Sequence, residues 1–280
     1  MRRFACFALA TLCVASPSLA QRAPMPSPES LQNHDIMTIG VGGAILPDYE
    51  GSDDYRIIPA ASIRGRISGV AITTNGTYLY VDPIRKSGKV SLDAGPIAGL
   101  RLDSIHHADD PVVKLLPERH TAIEVGAFAG ASFRGLTNPY DTLAVHVDVL
   151  HDIGNAHKST LISPNVTFST PVSRKTYVSA YAALDFAQSG YAQYYFGVTP
   201  ANSLLTGGAL PVYTPGGGLK DWKTSLLVNQ SITGDLLHGI SVFAMGQYSH
   251  LNGDFSRSPL VAMRGSAGQW LGAAGFAYTW

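Results

Sequence analysis

Three histidines in the middle of the chain stand near carboxylates, an arrangement that can support acid–base chemistry. His146, His151 and His157 accompany Asp148 and Asp152. A serine hydrolase needs a serine hydrogen-bonded to a histidine, and a third group that orients the histidine. His146 and Asp148 share one face of a strand because they are two residues apart, but no G-x-S-x-G turn presents a serine to them. The sequence therefore predicts ordinary polar interior residues and no enzyme.

Two other groups have the side chains that metals prefer. The first comprises His106, His107, Asp109 and Asp110. The second is an acidic run of Asp48, Glu50, Asp53 and Asp54. Zinc requires three or four converging nitrogen or sulfur ligands, and adjacent histidines in an extended segment point apart. The acidic run lacks the ligand spacing of a calcium loop. We therefore expect neither a metal nor another cofactor.

The secondary structure that positions these side chains is clearest in residues 269–280. Trp270, Phe276, Tyr278 and Trp280 lie on one face of a predicted strand, whereas the opposite face carries mostly small residues. Neither face carries a charge. Aromatic residues that face lipid, opposite small residues that face a lumen, are typical of a transmembrane β-barrel, although a secreted sandwich is an alternative. The terminal aromatic strand resembles the assembly signal of bacterial outer-membrane barrels, in which Phe276, Tyr278 and Trp280 would be read by the barrel-assembly machinery.

The N-terminus predicts export. Residues 1–20 combine a basic start, an apolar stretch and a small-x-small cleavage site, which together form a Sec signal peptide cut between Ala20 and Gln21. Both cysteines, Cys6 and Cys13, leave with it. The exported chain must then be held together by burial and backbone pairing without disulfides.

Composition supports a membrane barrel and argues against nucleic acid as a partner. Removal of two signal-peptide arginines from the 20 basic residues leaves 18 against 20 acidic ones, so no net positive charge attracts phosphates. Charged residues make up 14% of the chain, below the ~25% of typical soluble domains. No later stretch approaches the ~20 apolar residues of a spanning helix.

Alternation of apolar and polar residues extends along the whole chain after residue 36. The clearest alternating runs cover residues 36–46, 90–102, 123–133, 143–149, 162–168, 177–186 and 221–232. Most of these strands approach the ~9–11 residues needed to cross a bilayer, whereas sandwich strands average ~5–6. The fold class predicted is all-β, an antiparallel transmembrane β-barrel over residues 36–280, preceded by a periplasmic linker over residues 21–35.

Parity sets the strand count. If the first strand (residues 36–46) starts on the side of the membrane where the last strand (residues 269–280) ends, the total number of strands must be even. One or three strands must then lie within residues 55–82. Pro59, Arg64-Gly65-Arg66 and Asn75-Gly76 are expected to break that segment into three short strands. The total is then about twelve, with ten as the alternative.

Loop lengths predict the orientation, because outer-membrane barrels have short periplasmic turns and long external loops. Residues 173–175 form the tightest connection and are assigned to the periplasm. Residues 103–119, 188–216 and 251–268 are long and are assigned to the outside. The aromatic run 191–196 is expected to pack on the barrel mouth or meet the membrane interface, with a ligand platform as the alternative.

Four separated motifs resemble the MipA/OmpV family of Gram-negative outer-membrane proteins. The first is Pro47, Asp48, Tyr49, Glu50, Gly51, Ser52 and Asp53, continuing to Tyr55. The second contains Tyr195, Phe196, Gly197 and Pro200. The third is residues 258–261, and the fourth is the aromatic terminus, where Trp280 replaces the family's usual phenylalanine.

This resemblance implies a non-enzymatic outer-membrane scaffold. The family's namesake bridges a murein-cleaving lytic transglycosylase and a penicillin-binding protein, so these enzymes and outer-membrane lipid are the partners that the resemblance implies. No residue pattern shows this role directly. A narrow small-solute pore and a surface adhesin that acts through the external loops remain alternatives.

Overall fold

The computed structural model describes residue 27 and residues 30–31, 33–102, 105 and 108–280. The predicted signal peptide, its cleavage site and most of the predicted linker lie outside these residues. The strands are β1 (Ile36–Pro47), β2 (Tyr55–Ile67), β3 (Val70–Asn75), β4 (Tyr78–Asp82), β5 (Val90–Arg101), β6 (Ala122–Arg134), β7 (Thr142–Asp152), β8 (Thr160–Pro171), β9 (Thr176–Ala187), β10 (Gly218–Ser231), β11 (Gly239–Leu251) and β12 (Gly268–Thr279). The helices in the long connections are α1 (Ser189–Phe196), α2 (Pro200–Leu205), α3 (Gly253–Arg257) and α4 (Pro259–Ala262).

The twelve strands form one closed antiparallel barrel in which each strand pairs with its neighbours in sequence. β12 closes the ring against β1, in register from Thr38 opposite Thr279 to Ile45 opposite Gly272. Beyond that ladder, Met37 and Trp280 exchange two backbone hydrogen bonds of 3.0 Å. The predicted fold class and the count of twelve are confirmed. No helix in the described part of the chain is long and apolar enough to span a membrane.

The expected break-up of residues 55–82 was partly wrong. Three strands are present, but β2 is 13 residues long and runs straight through Pro59 and Arg64-Gly65-Arg66. Its turn comes at Ser68-Gly69, where both residues have positive φ angles of 53° and 86°. Pro59 is tolerated because β3 pairs only with residues 64–67 of β2, so the missing N–H interrupts no ladder.

The outer surface has the pattern expected of a lipid-facing barrel. In β12, Trp270, Phe276 and Tyr278 are 60%, 61% and 54% exposed, while the alternate residues face the lumen. Trp270 packs against Tyr248, with ring centroids 4.9 Å apart, and Tyr278 stacks on Trp280. Eight residues at ~3.4 Å rise and ~40° tilt separate Trp270 from Tyr278 by roughly 20 Å in height, close to the ~25 Å apolar band of such barrels.

The two ends of the barrel differ. The connections after β1, β5, β7, β9 and β11 share one end, which we call the lid end, and include residues 188–217, 252–267 and the described part of 102–121. The start of β1 and the end of β12 lie at the opposite, terminal end, together with short turns. Residues 172–175 belong to the terminal end, as expected, but they are not the tightest connection, because residues 68–69 and 76–77 are shorter.

Candidate functional site

One mouth of the barrel is covered by a lid, which we define as residues 48–54, 188–217, 252–267 and the described part of 102–121. Two apolar clusters form its core. One contains Leu161, Ala187, Tyr191, Ala192, Tyr195, Phe196, Leu251, Phe255 and Val261. The other contains Tyr49, Ile105, Ala108, Val113, Leu116, Val198, Leu210 and Leu260. Because strand tops and loops share these clusters, the lid is packed onto the barrel.

The first family motif is a structural part of this lid. Tyr49 is buried, and its hydroxyl donates to the carbonyls of Leu260 and Arg264 at 3.2 and 2.9 Å. The Gly51 N–H donates to the Gln269 side chain at 3.0 Å. Pro47 ends β1, Asp48 and Ser52 are buried, and Asp53 is exposed. The motif therefore holds residues 252–267 and the start of β12 in place.

The second and third motifs meet the first in the same lid. Tyr195 and Phe196 are buried at the end of α1, next to Gly197, and Pro200 begins α2. The Ser258 hydroxyl donates to the Phe196 carbonyl at 2.6 Å. Residues 62 positions apart in sequence are thus joined at one mouth, and the aromatic run 191–196 packs there, as expected.

Gly51 provides a test of this packing. Its φ is +101°, and an added Cβ would lie 2.5 Å from a Val261 methyl group. We expect Gly51→Ala to destabilise the protein by about 2–5 kcal/mol, through backbone strain and overpacking. The matched control is Gly135→Ala, since Gly135 has φ +71° and no atom within 4 Å of an added Cβ. Urea unfolding in lipid vesicles measures both, and equal losses would contradict a packing role.

Beneath the lid, Glu50 ties the first motif to the barrel wall. Its carboxylate accepts hydrogen bonds from Lys220 Nζ and, at 2.5 Å, from the Tyr191 hydroxyl. Lys220 also lies 2.6 Å from Asp221 and 3.7 Å from Asp185, and Asp185 pairs with Lys223 at 2.5 Å. We call these five charged residues the lid lock.

Electrostatics keep Glu50 ionised. Burial alone would raise its pKa, but the charges of Lys220 and Arg101, with hydrogen bonds from Lys220 and Tyr191, hold the pKa below the usual carboxylate range. Tyr191 lies between these two cations, with its ring centroid 5.1 Å from the Arg101 guanidinium and 5.7 Å from Lys220 Nζ. The base of the lid is therefore a set of opposite charges around one aromatic ring.

A second charged group crosses the lumen at β5 and β6. Glu124 is fully buried and accepts from Arg101 Nε at 2.9 Å and from the Tyr78 hydroxyl at 2.5 Å. His157 Nε2 lies 2.8 Å from the same carboxylate, and its ring meets Tyr191 edge-on at 5.0 Å. His157 thus packs beneath the lid; the Ser159 hydroxyl donates to its backbone carbonyl at 2.9 Å, and no serine bonds to its ring among the described contacts.

A third group lies around Asp93. Its carboxylate accepts from Lys86 Nζ at 2.5 Å and from Ser132 Oγ, and lies 2.8 Å from His146 Nε2. Ser132 and His146 therefore share a carboxylate, whereas a nucleophilic serine must bond to the histidine itself. The other predicted histidine, His151, is on the lipid face beside the Thr160 hydroxyl.

The other carboxylates and histidines that the sequence suggested for catalysis or metal binding do not form a common site either. Asp148 accepts from the Tyr80 hydroxyl at 3.0 Å, and Asp152 accepts from the His157 N–H at 2.8 Å. His106 and His107 lie outside the described residues, and Asp109 donates its N–H to Asp48. Within the described part of the chain, no three His, Cys, Asp or Glu side chains converge as a metal site would require.

Sequence reasoning missed Lys220 and Lys86. Alternation from Trp222 places Lys220 on the lipid face, but a register shift between Leu219 and Asp221 turns it inward. The adjacent charges Lys220 and Asp221 were the available signal, since strict alternation would expose one of them to lipid. Lys86 lies in the connection between β4 and β5 and gave no periodic signal.

Comparison with known proteins gives one family. The family model described as "MltA-interacting protein MipA" matches residues 39–280. No curated protein matches the chain.

Several solved barrels resemble the fold distantly. OmpT of Vibrio cholerae is 9% identical with a TM-score of 0.39, over 88% of this chain and 97% of its own. A Pseudomonas aeruginosa FadL homologue is 10% identical with a TM-score of 0.35, over 91% and 93%. The monoaromatic hydrocarbon channel CymD is 11% identical with a TM-score of 0.39, over 91% of both chains. Likeness at this level carries no information on function.

The family model spans nearly the whole barrel, from β1 to Trp280, and includes all the lid segments. This twelve-stranded transmembrane barrel with a packed lid belongs to the MltA-interacting protein MipA family.

Proposed function

We propose that this chain is a non-enzymatic scaffold of the Gram-negative outer membrane, which links a murein-cleaving lytic transglycosylase and a penicillin-binding protein. The observation that carries the proposal is the family match over residues 39–280, because the family is named for interaction with MltA. The apolar exterior and its aromatic girdles are consistent with this membrane. The signal peptide predicted at residues 1–20 would supply the export route.

A scaffold role also suits the interior. The lid is packed at one mouth, and the lumen below it is crossed by paired charges rather than lined by a free path. The lumen residues Asp93, Arg101, Glu124, Asp185, Asp221 and Lys223 carry both signs and are engaged in ion pairs. This packing disfavours an open pore, and we expect the protein to show no conductance steps in planar bilayers.

In the proposed orientation, the terminal end faces the periplasm and the lid faces outward. The partner would then meet the turns at residues 68–69, 83–89, 135–141, 172–175 and 232–238. Lys89 and Lys175 are exposed on two of these turns, so charge reversal there tests the partner-facing side. An adhesin would instead act through the lid segments.

The test is direct binding of a purified MltA-type lytic transglycosylase to the barrel in lipid nanodiscs. We expect saturable binding that weakens at least about tenfold in the double variant Lys89→Glu, Lys175→Glu. The lid-end control is Lys114→Glu, which should bind as the unmodified protein does. Absence of binding, or equal loss in the lid-end control, would contradict the proposed scaffold and its orientation.

A further inference from the structure

One edge of β2 has no strand beside it. β1 pairs with β2 along residues 55–66, but β3 pairs only with residues 64–67. At Ile63 the ladder ends, since the Thr74 hydroxyl accepts from the Ile63 N–H at 2.9 Å and donates to its carbonyl at 3.3 Å. Among the described residues, residues 55–62 of β2 therefore have a strand neighbour on one side only.

The gap beside this edge has defined borders, and we call it the seam. The turn between β3 and β4 closes it below, where the Thr77 hydroxyl donates to the Leu100 carbonyl at 2.5 Å. Across the seam, the Arg56 Nη2 atom lies 3.4 Å from the Leu102 carbonyl oxygen, a long distance for a hydrogen bond. The seam thus opens between β2 and the end of β5.

The seam lies in the half of the lipid band nearest the lid. The Tyr55 hydroxyl accepts from the Trp270 N–H at 3.2 Å, which places the top of β2 at the aromatic girdle. Ile57, two residues below, is 79% exposed. The seam therefore places an exposed isoleucine beside a gap in the barrel wall, which gives the gap an apolar border on the lipid side.

Pro59 indicates what kind of occupant fits. Backbone groups of alternate residues point the same way, so Pro59 shares the direction of Ile63 and faces the seam. Because proline has no N–H, a strand added here would lose a ladder bond. A hydrocarbon chain makes no such bond, and it would cover Ile57 and the carbons of Pro59.

Arg56 adds a charge requirement. Four lumen cations, Lys86, Arg101, Lys220 and Lys223, pair with carboxylates, and Arg134 contacts the Ser91 hydroxyl. Arg56 has no carboxylate within 4.0 Å among the described residues, and its buried Nε has no hydrogen-bond partner. An unsatisfied guanidinium beside an apolar gap is suited to a carboxylate or phosphate headgroup.

We propose that the seam binds an anionic amphiphile, whose headgroup contacts Arg56 and whose hydrocarbon chain lies along β2 from Ile57 to Ile63. This site does not depend on the scaffold role. The headgroup chemistry is shared by fatty carboxylates and lipid phosphates, and the two are separated by experiment.

The experiment uses the full barrel in nanodiscs with three photoreactive probes of equal chain length, a fatty acid, a phosphatidic acid and a fatty alcohol. We expect the anionic probes to label residues 57–63 or 74–77, and the alcohol to label them at least about tenfold less. A stronger signal from the fatty acid identifies a carboxylate ligand; a stronger signal from phosphatidic acid identifies a lipid phosphate.

Arg56→Gln should lower the anionic labelling at least about tenfold. Arg134→Gln is the matched control, because Arg134 is a lumen arginine on β6 that contacts Ser91. If Arg56→Gln fails to fold, Ala61→Trp should block the seam while it keeps Arg56. Labelling spread evenly around the barrel, equal labelling by the alcohol, or labelling unchanged in both seam variants would overturn the proposal.

Discussion

Lys220→Met is expected to destabilise the barrel by about 3–5 kcal/mol and to open its lid. Lys220 is buried, and its removal leaves Glu50 and Asp221 without their shared cation. An uncompensated buried charge of this kind costs about that much, whereas loss of an exposed ion pair costs ~0–1 kcal/mol. The matched control is Lys114→Met, since Lys114 is half exposed and 3.8 Å from Asp109.

Acid should reduce the difference between Lys220→Met and the unmodified protein. Because the pKa of Glu50 is lowered in the folded protein, its stabilising contribution is present above the ordinary carboxylate range and lost as pH falls below ~4. Urea unfolding in vesicles from about pH 3 to about pH 8, a range that includes the ordinary pKa of a glutamate, measures this. Planar bilayers should also show conductance steps for the variant. Unchanged stability together with silent bilayers would refute the lid lock.

Replacing Phe276 and Tyr278 with aspartate, or deleting Trp280, is expected to block insertion rather than any activity. Both side chains point to the lipid face, where a charge costs up to a few kcal/mol. Trp280 contributes two backbone hydrogen bonds to barrel closure. The measurement is the amount of heat-modifiable barrel in outer-membrane fractions.

The control for the aspartate pair is Phe276→Leu with Tyr278→Leu, which keeps the face apolar and removes the rings. Near-normal levels of this control would assign the defect to lipid exposure, and a matching defect would assign it to recognition of the aromatic residues. Normal levels of the aspartate variant would contradict both explanations.

The sequence was sufficient for the barrel because lipid and lumen impose opposite demands on alternate residues. In β12 that contrast is uninterrupted, and the structure places each aromatic residue outward. β2 was harder to predict, because a proline interrupts a strand only where a neighbouring strand would need the N–H that proline lacks. That condition depends on the length of β3, which no local pattern in β2 reports.

The lid could not be predicted in the same way. Tyr49, Phe196 and Leu260 belong to motifs far apart in sequence, and their convergence depends on which strand tops share a mouth. The resemblance to a family marked these residues without saying what they touch. Lys220 was missed because a bulge reverses the alternation that places every other residue of β10.

The bonds between Met37 and Trp280 have a consequence for the order of folding. These two residues are farther apart in sequence than any other strand partners of the barrel wall. Closing the ring therefore has the largest cost in loop entropy and should come last. Any product that stops before β12 leaves the edge of β1 open along eight registered positions. A chain that is truncated before β12 therefore cannot close the ring, and it keeps a free strand edge that proteases and chaperones can recognise.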